Sequence, residues 1–158
     1  VTRFLGIDLG ERRIGLATAE PGHEPARPLR TVPRGASLEA DLERLTAVVH
    51  EQRIDELVVG LPLEARGSPG TMAAAAVAWA EAVGRALGLP VRLRDERLSS
   101  HLAEARLGPM PRGRGGGPPS RTQRDKYRAR VDSEAAAIIL QDELDADRPD
   151  RTGHEVVG

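Results

Sequence analysis

The chain has 158 residues, a formal net charge of -1, 39% hydrophobic and 30% charged residues, which is enough for one domain with a proper core and too apolar for intrinsic disorder. Cysteine is absent and aromatics are only 2%, which excludes disulfide frameworks and thiolate metal sites and leaves an aliphatic core with few rings on which to stack nucleobases. No charged-then-apolar leader opens the sequence and no apolar run approaches the about 20 residues of a membrane helix, so the expectation is a soluble, cytoplasmic protein with no membrane partner.

Residues 3–9 and 13–19 read as two strands joined by a turn around Gly10. One carboxylate, Asp8, interrupts the apolar first strand at its end. Prolines 21, 25, 28 and 33 restrict a third strand to an edge, with residues 29–32 its most readily paired part. Ser37 fits a helix N-cap, after which Leu38, Leu42, Leu45, Val48 and Val49 fall on one helical face. Residues 56–61 suit a short buried strand, and the following GLPLEARGSPG suits a loop. Thr71 is expected to cap a second helix with Met72, Ala76, Trp79, Ala80, Val83 and Leu87 on its stripe and Gly88 at its end; Trp79 reads as core packing. A fifth strand follows from Pro90, then a short helix over 98–107 and a glycine- and proline-rich stretch over 108–121. The last helix is expected from about Ser133 to Leu144, and the tail over 146–158 is expected to be disordered.

This order, three strands and then alternating helix and strand, predicts a single α/β domain over residues 1–145: a mixed five-stranded sheet flanked by helices. The helical crossovers make the last two strands parallel to the first. The small net charge hides a basic segment. From Arg106 to Arg130 eight basic residues face a single acid, Asp125. Such a segment within residues 108–130 is either a solvated flexible loop or a grip on phosphates.

In open α/β sheets chemistry gathers outside the carboxyl ends of the parallel strands. Asp8 ends the first strand, Asp95 and Glu96 end the fifth, and Asp132 precedes the expected last helix. Each has a structural alternative: Asp8 bonding turn amides, Asp95 or Glu96 pairing with Arg94 or Arg97, Asp132 capping its helix. Together they would repel one another unless a cation joined them. An all-oxygen ligand set without cysteine favours Mg2+ or Mn2+. Two such ions about 3.5–4 Å apart serve phosphodiester hydrolysis, and the basic flank would attract the polyanion.

The stretches GIDLGERRIGLA, VVGLPLEARGSPG, DERLSS and VDSEAAAIILQDEL resemble the YqgF/RuvX-like family, in its order and spacing and from Phe4 to about Leu144. The resemblance implies an RNase H-like fold. It also implies either maturation of the 5′ end of pre-16S ribosomal RNA in ribosome biogenesis or Holliday junction resolution in DNA recombination and repair. It points to Asp8, Glu96 and Asp132 as a catalytic, metal-binding triad, choosing Glu96 over Asp95, which becomes a supporting residue. Phosphate contacts would fall to Arg12, Arg13, Lys126, Arg128 and Arg130. Gly60 and Gly67 would pass close to the substrate backbone. The partner is nucleic acid, as structured or precursor RNA or as branched DNA, bound by a monomer or a homodimer. Two features depart from the family pattern: Glu64 stands where an Asn is usual, and Ser99-Ser100 where Ser/Thr-Thr is. A competing class is a nucleic-acid-binding module without catalysis. GIDLG also resembles the phosphate loop of actin-like ATPases, but so short a chain lacks their second domain.

Overall fold

The computed structural model describes residues 2–22, 25–62, 71–96 and 99–147, with the backbone alone at residues 62, 71–73 and 96. Strands β1 (Phe4–Leu9), β2 (Arg13–Ala19) and β3 (Arg27–Pro33) form a meander. Strands β4 (Glu56–Pro62) and β5 (Val91–Glu96) then alternate with helices α1 (Leu38–Gln52) and α2 (Thr71–Leu87), and α3 (Ser99–Leu107) and α4 (Arg121–Ala146) follow. The sheet has the order β3-β2-β1-β4-β5. β2 is antiparallel to β1 and β3, while β1, β4 and β5 run parallel, as the expected crossovers require. β3 is an edge strand, where Pro28 and Pro33 cost no ladder bond on the outer side.

Strand alternation divides the sheet into two faces. Leu5, Ile7, Ile14, Leu16, Leu57 and Val59 pack against Leu45 and Val48 of α1 and Trp79, Ala80 and Val83 of α2. On the other face Phe4, Ala17, Ala19 and Val58 meet Ala136, Ala137, Ile139 and Leu140 of α4. α3 lies on α4 through Ala103, Val131, Ala135 and Ile138. Among the described residues no helix is long and apolar enough to cross a membrane.

Local chemistry sets the helix ends. Ser37 caps α1 by accepting the Ala40 N–H at 3.2 Å, with Glu39 and Asp41 favourably placed in the first turn. Thr71 is the first residue of α2 rather than its cap. Gly88, at φ +68°, ends that helix, and the Leu89 N–H returns to the Gly84 carbonyl at 3.0 Å. The largest departure from the sequence expectation is α4, which starts at Arg121 instead of near Ser133. Its start is a capping box: the Ser120 hydroxyl accepts the Gln123 N–H at 3.1 Å, and the Gln123 side chain accepts the Ser120 N–H at 2.8 Å. The basic residues from 121 to 130 are therefore helical. A single 3-10 turn, Arg114–Gly116, lies in the glycine-rich stretch before them. Gly67 and the tail over 148–158 lie outside the described residues.

Candidate active site

Asp8 sits in β1 between two glycines, opposite Gly15 of β2 and Gly60 of β4. A Cβ on Gly15 would stand 2.0 Å from the Asp132 carbonyl oxygen, and one on Gly60 would stand 2.4 Å from Cδ1 of Ile139. Gly6, two residues before Asp8, lies equally close beneath α4, where its Cβ would be 2.8 Å from the Ala136 carbonyl oxygen. Side chains are absent at these three positions because α4 occupies their space, with its backbone at Gly6 and Gly15 and with the Ile139 side chain at Gly60. That approach brings Asp132 against the strand end that carries Asp8.

Asp132 is thus not a helix N-cap but a residue well inside α4. Its Oδ2 accepts a hydrogen bond from Nε of Arg13 at 2.5 Å, a pair about a quarter exposed. Arg13, expected on phosphate, is engaged with the Asp132 carboxylate. Burial pushes the Asp8 carboxyl up to about 7, and the Asp132 charge adds to the rise. The two acids are therefore electrostatically coupled, at a cost that a cation between them would remove.

The register extends the site across the sheet. Gly60 is opposite Arg94, so position 96, two residues on, falls on the α4 face with Asp8, while Asp95, opposite Leu61, falls on the α1/α2 face. Asp95 is exposed there. The side chain of Glu96 lies outside the described residues. Among the described residues no three His, Asp or Glu side chains form a metal-holding group. The donor set nevertheless fits a hard cation: two crowded, all-oxygen carboxylates at one strand end, with a third acid assigned by register to the same face.

Gly60, expected near the substrate backbone, is buried under Ile139 and serves the packing of α4. Arg12, Lys126, Arg128 and Arg130 are exposed. On a helix, Lys126 and Arg130 share one side, whereas Arg128 turns toward Arg124. Arg106 is tied to Glu134 of α4 at 3.0 Å. The basic half of α4 is its N-terminal half, with no acid in the first turn, which opposes the helix dipole. Acids collect instead toward the C-terminal half, where Glu143 receives Arg94 of β5 at 3.1 Å. Bases at the positive end of a helix suit an external anion better than they suit the helix itself.

Two features escaped the sequence reading. One is the set of glycines 6, 15 and 60, whose spacing on three strands shows only once the register is known. The other is a buried polar cluster around Asp41, 1% exposed, which accepts from Arg34 and Trp79.

A family model described as "RuvX: Holliday junction resolvase" matches residues 2–146. A relative from Anaeromyxobacter sp. (strain Fw109-5), named "Putative pre-16S rRNA nuclease", is 48% identical over 143 residues, 90% of this chain and 96% of its own. One of the same name from Chloroflexus aggregans is 40% identical over 145 residues, 92% of this chain and 94% of its own. The structure is similar in fold to Thermus thermophilus RuvC in complex with a Holliday junction substrate, with a TM-score of 0.55, 20% identity and 97% of each chain covered.

Proposed function

The chain belongs to the RuvX family, and on that premise we propose that it is a metal-dependent endonuclease that processes the 5′ end of pre-16S ribosomal RNA. The observation that carries this reading is the meeting of Asp8 and Asp132 at the carboxyl end of the parallel strands, on the face to which the register also assigns position 96. Asp8, Glu96 and Asp132 would hold Mg2+ or Mn2+. Divalent cations held there would supply an activated water and stabilise the leaving oxygen of a phosphodiester. The chain's own contribution is placement. The sheet fixes Asp8, the close approach of α4 fixes Asp132, and Arg13 orients the Asp132 carboxylate. Arg12, Lys126, Arg128 and Arg130 would neutralise phosphates flanking the scissile bond, which makes binding salt-dependent.

Holliday junction resolution is the second reading, favoured by the description of the matching family. It requires two coordinated cuts and hence a symmetric dimer on the substrate. A binding module without catalysis gains nothing from two carboxylates facing phosphate. The test is cleavage of a labelled 5′-extended 16S precursor RNA and a labelled four-way DNA junction, each with Mg2+, Mn2+ or EDTA, beside Asp8→Asn. RNA cut only with metal, and not by the variant, supports the proposal. Junction cutting alone selects the second reading, and binding without cutting of either substrate selects the module.

A further inference from the structure

We propose that Arg34 is a positioning residue for the carboxylate site, acting through the turn between β1 and β2; this rests on the nuclease reading above. Arg34 follows β3 and grips that turn twice. Its main-chain N–H donates to the Arg12 carbonyl at 2.8 Å, and its Nη1 donates to the Gly10 carbonyl at 2.8 Å. The turn is closed from within by the Gly10 N–H on the Arg13 carbonyl at 2.9 Å. Asp8 lies two residues before this turn, and Arg13 leaves it to hold Asp132. Whatever orients the turn therefore orients both described carboxylates.

Arg34 is itself held by a built anchor. Asp41 of α1, 1% exposed, accepts Nε of Arg34 at 3.1 Å, the Gly35 N–H at 2.6 Å and Nε1 of Trp79 at 3.2 Å. The guanidinium carbon also stands 6.0 Å from the centre of the Trp79 ring. An ion pair with one partner buried, as here, is a poor way to gain stability, since well-packed apolar residues often do as well or better. What it provides here is direction. The guanidinium fork reaches Asp41 with one nitrogen and Gly10 with another, which a single ammonium does not reproduce.

The test compares Arg34→Lys with Trp79→Phe. The first keeps a charge for Asp41 and drops the grip on Gly10. The second removes a different donor from the same carboxylate and leaves the turn untouched. Three quantities are read: amide hydrogen exchange at Gly10, Tm, and kcat and KM on the 5′-extended 16S precursor RNA with Mg2+. Both variants should lose Tm. Only Arg34→Lys should exchange Gly10 at least about ten-fold faster and lose about 10- to 100-fold in kcat, with KM within about two-fold. Should Arg34→Lys not fold, Asp41→Asn, which frees the guanidinium from its anchor, should give the same pattern. Unchanged kcat in the folded variant, or kcat losses in both variants that merely follow Tm, would overturn the proposal. A normal Gly10 exchange rate in Arg34→Lys would overturn the ordering of the turn by itself. No cleavage by the unsubstituted chain would overturn the nuclease reading and the catalytic half of this one together, while the exchange rate still decides the ordering.

Discussion

The two faces of the sheet are built on different rules. Under α1 and α2 the strands present leucine, isoleucine and valine, and bulk fills the space between layers. Under α4, Phe4 and Val58 apart, they present Gly6, Gly15, Ala17, Ala19 and Gly60, so the helix approaches the strand backbones closely at these positions. Burial of the larger strand side chains on the first face is worth more per residue than burial of glycine and alanine. The second forgoes part of that gain and uses closeness to bring Asp132 to Asp8. Strength and precision of placement are thus assigned to opposite sides of one sheet.

Substitutions on the two faces should therefore separate stability from activity. The largest effect is expected at the site itself, where Asp8→Asn should reduce metal-dependent cleavage by more than about 100-fold, beyond what loss of a residue merely supporting a metal ligand costs. Next, Leu45→Ala on the α1 face should cost about 2–5 kcal/mol of unfolding free energy by leaving a cavity. In the same variant kcat should hold at temperatures where it is folded, checked by denaturant melts beside initial rates. Gly15→Ala should reverse that pattern. Its overpacking costs about 1–3 kcal/mol, yet displacement of α4 by even 1 Å should remove about 100-fold in rate. Equal rate losses at Leu45 and Gly15 would erase the distinction between the faces. The smallest effect should come from Ser120→Ala, with about 1 kcal/mol lost at the α4 capping box and weaker RNA binding from its basic half, read by a salt-dependence titration.

The acid pair also makes a pH prediction. The Asp8 carboxyl, ordinarily at 3.8, stands at about 7 in the folded, metal-free protein. Between those values the folded state holds a proton that the unfolded chain has released. Stability should accordingly fall as pH rises from about 4 to about 7, on the order of a few kcal/mol in all. Chemical melts in EDTA across that range check the sign.

Much of this was legible in the sequence because local rules agreed with the global outcome. Two apolar runs joined by a turn at Gly10 marked β1 and β2, the Ser37 cap and apolar stripe marked α1, and Gly88 marked the end of α2. Asp8 stood out as a charge inside an apolar strand. The start of α4 did not stand out, because the turns from 121 to 130 are dominated by charge and no apolar stripe announces them. The signal that was there is the Ser120 and Gln123 pairing. At Gly60 the sequence shows only that something approaches closely, since a glycine in a strand marks any close approach, and in the structure the approaching group is Ile139 of α4. The Arg34–Asp41–Trp79 cluster was unreadable because its members come from a loop and two helices that the fold alone brings together.

The most direct test of the claim that Asp8 and Asp132 form a cation site is thermal unfolding at pH 8. It would compare the unsubstituted chain with Asp8→Asn, each in EDTA and in millimolar Mn2+. Asp8→Asn should melt higher in EDTA, because a charge held at high desolvation cost has been removed, and Mn2+ should raise Tm by several degrees only in the unsubstituted chain. A Tm that Mn2+ raises equally in both proteins, or in neither, would contradict the claim.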